Sequence, residues 1–365
     1  MSPITVFAST PDNSLLKGLT KGLAFLLIGA LLTVWCSAYA SEGIDFQDDT
    51  ALAKGDPSPG TSGSSGDKEH PEHPEHPEHP DHPKDPDPPP PPVENPLPVV
   101  NSLSYPTRIA QGPDGKIYVT DAKVGSVFIY SADMTEVVGE LKGLGKSVLG
   151  VAVDAQGNIY VGSNSRGNVE VYSPTGEMLY SIEGVLMPND LALDRDGNLY
   201  VVDSLADTVK VYNWGGSELP DIGSGQFRFP IAVAVAYRPD PDNPGLEIGE
   251  VFVADQGNVK LHVFGLGGGL DRAYGEAIPS FSADWEGRFT RLQGLAVDSQ
   301  YRLHVLDCYL NRVQILNADS GEFISAYGLE PGLLRVPLDM LITPSGQALL
   351  TNSGRHRLEI LTTTP

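Results

Sequence analysis

The chain has 365 residues with 47 acidic and 24 basic side chains, which gives a formal net charge of −23. Residues 99–365 alone hold 32 acids against 19 bases and no basic run, and a surface of this sign repels phosphate backbones, so nucleic acid is excluded as a partner class. Only one of the two cysteines, Cys308, lies beyond residue 40, which excludes a small domain built on disulfides.

Residues 1–40 have the composition of a signal peptide. Lys17 and Lys21 precede an apolar run over residues 23–35, and Ala38-Tyr39-Ala40 has the small-x-small pattern of a cleavage site. The run is shorter than the about 20 apolar residues that a membrane-spanning helix needs. The sequence therefore predicts export to the periplasm or the cell exterior, with membrane attachment only if the leader stays uncleaved.

Residues 41–96 are predicted to form a disordered, acidic linker rich in proline and histidine. They contain few large apolar side chains, so they cannot bury enough surface to offset the entropy of ordering. Five histidines recur at every third residue, each followed by proline: His70, His73, His76, His79 and His82.

Two interpretations of this histidine series stay open. Imidazole and carboxylate groups are ordinary ligands of Zn²⁺, Ni²⁺ and Cu²⁺, so the linker would collect metal weakly. Proline at every third position favours polyproline II, whose rise of about 3.1 Å per residue places successive histidines roughly 9 Å apart, too far for one ion to bridge. The second interpretation is a stiff, charged spacer between the amino terminus and the folded domain.

Residues 97–365 contain six copies of one pattern of short alternating strands. Equivalent frames begin at spacings of 42, 40, 42, 62 and 45 residues, at Ile109, Val151, Leu191, Val233, Leu295 and Met340. Strands repeated at this period are typical of propeller blades. The sequence predicts an all-β, six-bladed β-propeller, in which the long spacing reflects longer loops over residues 237–249 and 265–291.

The ends of the repeat region predict how the ring closes. The sixth copy stops after its third strand, at 358–361, and no outer strand follows it. Residues 97–103 precede Pro106 as the outer-strand segment 178–182 precedes Pro188. An amino-terminal strand is therefore expected to complete the last blade and to remove a free sheet edge.

Two kinds of side chain recur at fixed positions of the repeat. Polar residues end the second strand, and we expect them to accept hydrogen bonds within their own turns rather than to bind metal. These residues are Asp121, Ser163, Asp203, Asp255, Asp307 and Asn352. Aromatic residues recur inside the second and third strands, and we expect them to pack between blades. These residues are Tyr118, Tyr160, Tyr172, Tyr200, Tyr212, Phe252 and Phe264. Trp214 and Trp285 lie outside this register and are better candidates than the recurrent aromatic residues for binding a partner.

Several segments resemble the NHL repeat, among them Gly197-Asn198-Leu199-Tyr200-Val201-Val202-Asp203 and Asn352-Ser353-Gly354-Arg355-His356-Arg357-Leu358. The resemblance covers residues 97–365 and implies a six-bladed propeller used for binding. Propellers commonly bind ligands at the mouth of the central channel, so we expect the candidate site where the inner strands begin. The candidate ligand-binding residues are Arg108, Asn189, Asp190, Gln293 and Asp339.

Two enzymatic alternatives follow from resemblance. Pro188-Asn189-Asp190 is similar to a calcium-binding strand start of six-bladed lactone and ester hydrolases, which implies an axial Ca²⁺ with Asp339 as a second oxygen ligand. The sequence offers few further oxygen ligands and no histidine beside these positions to act as a general base. An amidating lyase of the NHL family holds zinc through channel histidines. Here His262, His304 and His356 occupy different positions of their repeats, so we expect them to be scattered surface or turn residues.

No nucleophile elbow, phosphate-binding loop or Cys-x-x-Cys pair occurs in the sequence. We therefore expect a binding or scaffold protein rather than an enzyme, with another envelope or extracellular protein, or a small ligand, as partner. The alternative is a calcium-dependent hydrolase with its site at the channel mouth.

Overall fold

The computed structural model describes residues 103–279 and 284–363. The predicted signal peptide, the predicted linker and the five histidines of the series fall outside the described residues. The predicted closing strand also falls outside them, except for Leu103.

The described chain is a six-bladed β-propeller made of antiparallel sheets that follow one another in sequence. Blades one to three contain β1 (Pro106–Gln111), β2 (Ile117–Asp121), β3 (Ser126–Tyr130), β4 (Val137–Leu141), β5 (Val148–Val153), β6 (Ile159–Ser163), β7 (Asn168–Tyr172), β8 (Met178–Glu183), β9 (Pro188–Leu193), β10 (Leu199–Asp203), β11 (Thr208–Tyr212) and β12 (Glu218–Ile222). Blade four contains β13 (Pro230–Pro239), β14 (Glu247–Asp255), β15 (Lys260–Gly265) and β16 (Leu270–Tyr274). A short parallel pair follows, β17 (Glu276–Ala277) with β18 (Arg288–Phe289). Blades five and six contain β19 (Leu292–Val297), β20 (Arg302–Asp307), β21 (Arg312–Asn317), β22 (Phe323–Tyr327), β23 (Pro337–Ile342), β24 (Gln347–Asn352) and β25 (Arg357–Thr362).

The blades pack because successive residues of a strand face opposite sides of its sheet. In β2, Ile117 and Val119 join the apolar cluster shared with blade six, whereas Tyr118 joins the cluster shared with blade two. Each neighbouring pair of blades shares one such cluster. The recurrent aromatic side chains are buried in these clusters or, for Tyr172, packed against one. Their predicted packing role is confirmed.

Packing also closes the ring between blades six and one. The shared cluster contains Leu349 and Leu358 of blade six together with Leu103 and Ile109. Thr351 donates a hydrogen bond to the carbonyl of Thr107 at 3.1 Å, and Ser353 donates one to the carbonyl of Pro106. Blade six has three strands among the described residues, so the predicted fourth strand stays a prediction.

The long spacing after Val233 is only partly loop. Residues 237–249 extend β13 and β14 into a long hairpin, with pairs continuing to Pro239↔Glu247. The expectation of a loop there is wrong in this respect, because the turn occupies only residues 240–246. The long hairpin is held against the first turn of blade three, because the Arg195 amide donates to the Tyr237 hydroxyl at 2.9 Å and the Arg195 guanidinium stacks on the Tyr237 ring and pairs with Glu247.

The two faces of the ring differ in which strand ends they carry. Because the strands of each blade are antiparallel, the first strand begins where the second ends and the third begins, as in Pro106↔Asp121 and Asp121↔Ser126. We call this face, which also carries the connections between blades, the upper face. The lower face carries the tight turns between strands one and two and between strands three and four.

Candidate functional site

The innermost strands of adjacent blades contact one another around a central axis, including β23 with β1. One position of these strands lies immediately before each repeat frame. Its occupants in blades one to six are Arg108, Gly150, Asp190, Ala232, Gly294 and Asp339. The ring therefore carries one basic residue, two acids on opposite blades and three small residues.

Arg108 crosses the axis and binds four other blades. Its Nε donates to the carbonyl of Asn189 at 2.9 Å, and Nη2 donates to the carbonyl of Ile231 at 2.5 Å. Its Nη1 donates to the carbonyls of Gln293 at 2.8 Å and Leu338 at 3.2 Å. The side chain is 5% exposed. A planar guanidinium with five donors suits this task, because its nitrogens can reach four carbonyls on four different blades at once.

Two buried carboxylates flank the guanidinium. Asp190 Oδ1 lies 3.8 Å from Arg108 Nε, and Asp339 Oδ1 lies 3.4 Å from Nη1. Each acid also joins its blade to the next, since Asp190 accepts a hydrogen bond from the Val233 amide and Asp339 accepts one from the Ile109 amide. We call Arg108, Asp190 and Asp339 the axial cluster. Removing one partner of such a buried pair costs about 3–5 kcal/mol.

Burial controls the ionisation of these acids. It raises the pKa of Asp339 to about 7, with repulsion from Asp190 adding to this effect and Arg108 opposing it. Burial likewise raises the pKa of Asp190 against the attraction of Arg108. One guanidinium faces two carboxylates, so the cluster favours holding a proton on one of them.

The small residues of the ring leave room for the cluster. A Cβ atom added at Gly294 would lie 3.1 Å from Asp339 Oδ1, and one at Gly150 would lie 2.7 Å from Leu191 Cγ. Larger side chains at these two positions would displace the inner strands that hold the acids. The glycines therefore serve the close approach of neighbouring blades.

The structure brings together only part of the predicted ligand-binding set. Arg108, Asp190 and Asp339 meet at the axis, whereas Asn189 and Gln293 contribute backbone carbonyls. The side chain of Asn189 instead donates to Ser204 Oγ at 2.5 Å, and Gln293 Oε1 accepts a bond from Gln256 at 2.9 Å. All except the partly exposed Gln293 are buried inside inner strands rather than open at a channel mouth.

This arrangement does not fit an axial calcium ion. Calcium requires six to eight oxygen ligands, and here the four inward carbonyls and both carboxylates already surround the Arg108 guanidinium. A calcium ion at the axis would have to replace that side chain. Among residues 103–279 and 284–363, no group of three or more His, Cys, Asp or Glu side chains is arranged to hold a metal.

The aspartates that end the second strands have the predicted role in their turns, whereas Asn352 instead accepts from the Arg335 amide and donates to the Leu333 carbonyl of the connection that enters its blade. Asp307 accepts amide hydrogen bonds from Tyr309 and Leu310 in its own turn, and also from Thr290 and Arg291 in the connection that enters the blade. Asp121 and Asp203 likewise accept amide hydrogen bonds both from their own turns and from the segment that enters the blade. The sequence did not predict the second set of donors, because these lie 16–17 residues earlier in the chain.

The expectation that the three histidines are surface or turn residues is wrong for His304, which is 0% exposed, and for His262, which lies inside β15 with both ring nitrogens buried. His304 Nε2 lies 3.0 Å from Asp298 Oδ2, and Nδ1 lies 3.1 Å from the Tyr327 hydroxyl. His356 is an exposed residue of a turn, with a φ of 59°. His262 is mostly buried, with Nε2 3.5 Å from Asp255 Oδ2. The three do not converge.

His304 occupies the position that Tyr118, Tyr160 and Tyr200 hold in earlier blades. Tyr160 and Tyr200 each bond the aspartate of the preceding turn, Asp154 and Asp194. His304 bonds Asp298 in the same way, and this equivalence was readable from the repeat spacing. Burial opposes ionisation of Asp298, but hydrogen bonds from His304 and Arg302 outweigh it and hold the pKa of Asp298 well below its usual range.

The two tryptophans outside the repeat register have different surroundings. Trp214 is 75% exposed in the turn between β11 and β12 on the lower face. Trp285 lies in the upper connection to blade five, where the Arg312 guanidinium stacks 4.4 Å from its ring centre. Trp285 also packs edge-on against Phe323. Trp285 is therefore held beside a cation, whereas Trp214 projects into solvent.

No helix among the described residues is long and apolar enough to cross a membrane. The sequence matches no protein-family model and no curated protein. Similar solved structures exist. A gluconolactonase from Xanthomonas campestris superposes with a TM-score of 0.54 and 18% identity, covering 72% of this chain and 87% of that one.

Two other propellers align comparably. Virginiamycin B lyase from Staphylococcus aureus, as an inactive variant with quinupristin, gives a TM-score of 0.51 at 12% identity, covering 73% and 84% of the two chains. Hydrazine synthase from Kuenenia stuttgartiensis gives 0.50 at 14% identity, covering 73% and 97%. At these identities the comparisons show the fold alone, which is the six-bladed β-propeller.

Proposed function

We propose that this chain is an exported, NHL-type propeller that acts as a binding scaffold for another envelope or extracellular protein. Residues 1–40 would direct export, residues 41–96 would act as a spacer, and residues 97–365 would form the binding domain. The observation that carries the proposal is the position of Arg108. Its guanidinium fills the axial place where a channel-centred catalytic cation would act, so the loops of the two faces are left as the recognition surface.

Fold likeness does not favour an enzymatic function, because propellers are reused for many functions. The calcium-dependent lactonase or esterase alternative would require Arg108 to leave the axis so that Asp190 and Asp339 could ligate the ion. Weak Zn²⁺, Ni²⁺ or Cu²⁺ binding by His70 to His82 would add metal collection to the spacer and is independent of the propeller.

The test begins with the full chain purified without chelators from the envelope fraction of its native host. We expect a stoichiometric protein partner by mass spectrometry, and no rise in the melting temperature of the purified chain on addition of Ca²⁺. The control is Arg108→Met, which removes the competing cation. A calcium-dependent rise in the wild-type chain, together with ester or lactone hydrolysis and no partner, would instead establish the alternative.

A further inference from the structure

The two faces of the propeller carry different charges. On the lower face, acidic side chains recur in the tight turns, and the basic residues there are paired with them, as Lys116 is with Asp114 and Arg195 is with Glu247. Acids of these turns include Asp133, Asp154, Glu177, Asp194, Asp240 and Asp298. The lower face is therefore acidic, and its cations are neutralised locally.

The upper face carries the basic side chains that form no ion pair. Among the described residues, the basic side chains without an ion pair all lie at this face. Six of them belong to its loops: Lys123, Lys146, Arg228, Arg291, Arg335 and Arg355. The other two, Lys260 and Arg312, begin strands at the same edge. The six follow an arc from the connection that enters blade four, through blades five and six, to the connection that leaves blade one.

Acids on the upper face do not neutralise this arc. The strand-end aspartates are buried, and their oxygens accept backbone hydrogen bonds, as Asp307 does from four amides. Asp284 is paired with Arg288. Asp207 accepts the Phe229 amide beside Arg228, and it, Glu286 and Glu330 are exposed there but form no ion pair with the arginines within the described chain. The arc consequently keeps positive charge within a protein that is negative as a whole.

Two of these arginines also have buried donors without acceptors. Arg291 Nε and Arg312 Nε are shielded from solvent and make no hydrogen bond among the described residues. Both flank Asp307, since Arg291 donates its amide to Asp307 and Arg312 pairs with it across β20 and β21. A buried donor without an acceptor is costly, so both side chains keep unmet hydrogen-bonding capacity beside the exposed cations of this face.

Apolar side chains are exposed beside the cations. Tyr309 is 70% exposed, Leu329 is 51% exposed and Val124 is 46% exposed, all in upper loops of blades five, six and one or the connections between them. Arginine and tyrosine with scattered aliphatic groups are typical of the central residues of protein interfaces. Leu329 and Val124 offer no polar or charged group to a nucleic acid. The net negative charge of the domain would also repel the phosphates of a nucleic acid.

We propose that this arc of the upper face, from Arg228 to Lys146, is the docking surface for an acidic protein that also presents apolar side chains. The inference rests on the scaffold function proposed above and names its surface and the chemistry of its partner. Carboxylates of the partner pair with the six loop cations, which include Arg291, and with Arg312. Apolar groups of the partner cover Tyr309 and Leu329.

The first experiment compares two charge-reversed variants of the full chain. Lys123→Glu with Arg335→Glu alters the upper face, and Lys116→Glu with Arg195→Glu makes the same change of net charge on the lower face. The probe is fluorescently labelled poly-L-glutamate, measured by anisotropy at low and at physiological salt. We expect the upper variant to weaken binding at least about tenfold and the lower variant at most about twofold.

Thermal unfolding of both variants checks that they are folded. Equal weakening by both variants would reduce the effect to net charge and overturn the proposal, as would an absence of wild-type binding. Tighter binding of a DNA duplex or of anionic lipid vesicles through the same residues would assign the face to a polyanion or a membrane instead.

The apolar part of the surface needs a second probe. A copolymer of glutamate and tyrosine should bind the wild-type chain more tightly than poly-L-glutamate, and Tyr309→Ser should remove most of that gain. Trp214→Ser, which changes the exposed aromatic residue of the lower face, is the matched control and should leave the gain intact. Equal binding of the two polymers would contradict an apolar contribution and overturn the protein-docking proposal.

The native partner separates this inference from the function on which it rests. The protein that co-purifies with the wild-type chain should be lost from the upper variant and retained by the lower one. Retention by both variants overturns the upper-face proposal and leaves the scaffold function standing. If the wild-type chain has no partner, the scaffold function fails, and the polymer measurements still decide whether this face binds acidic polypeptides.

Discussion

Arg108 shows how one side chain can hold a ring of repeats together. Four of its donors are used by carbonyls of blades three to six, and two acids share its charge. The sequence predicted Arg108, Asp190 and Asp339 together with Asn189 and Gln293, because all five lie where the inner strands begin. It could not tell a ligand site from an internal ion cluster, because both require polar residues at that position.

The axial cluster should make stability depend on pH. The folded pKa of Asp339 is about 7, above its ordinary value of 3.8, so the protonated form is favoured in the fold. Its contribution to the free energy of unfolding is present in full below pH 3.8 and is lost as the pH rises through 7. The slope of this loss is at most about 1.4 kcal/mol per pH step. We expect Asp339→Asn to flatten the pH dependence of the free energy of unfolding between about pH 5 and 7.

Urea denaturation at several pH values measures this effect. Asp114→Asn, which changes an exposed acid of the first turn, is the control and should keep the wild-type pH dependence. An unchanged dependence in Asp339→Asn would show that Asp339 is ionised throughout this range.

The single blade is the element that the sequence predicts best. Its alternating strands, its turns and its recurrent aromatic position are local features, and each blade uses them in the same way. The exceptions are where one blade departs from its neighbours. His304 replaces a tyrosine and keeps the bond to the turn aspartate, while it gains a second bond to Tyr327 from the outer strand of the same blade.

We expect His304→Phe to lower the free energy of unfolding by about 1–3 kcal/mol, because Asp298 and the Tyr327 hydroxyl would each lose a buried partner. His304→Tyr should cost less, because a tyrosine at this position bonds the turn aspartate in blades two and three. Chemical denaturation followed by tryptophan fluorescence compares the two. Equal losses would mean that the imidazole acts only by filling volume.

The whole molecule depends on closure between blades six and one. Leu103 already packs with Leu349 and Leu358 across that junction. If residues 97–102 continue from it as the outer strand of blade six, a chain beginning at residue 96 should melt at a higher temperature than one beginning at residue 103, which keeps Leu103. Both chains keep every described strand, so differential scanning calorimetry isolates the added segment. Equal melting temperatures would exclude a closing strand in 97–103.

Charge also acts at the scale of the whole molecule. The sequence shows an excess of acids but not their distribution, because lower-face turns and upper-face loops alternate along the chain. Folding separates the charged residues of these two kinds of connection, because successive connections of an antiparallel blade lie on opposite faces. Arg228, Arg335 and Lys123 thereby come to share one face although they lie in different repeats.

The number of blades, their strands, the buried aromatic register and the polar residues that end the second strands could all be predicted from the sequence. These features depend on contacts within one repeat and on the alternation of side chains along a strand. The burial of Arg108 on the axis, the internal position of His304 and the shared face of the unpaired cations required the folded structure. The partners of Arg108 lie 81 to 230 residues away, and such contacts exist only after the ring has closed.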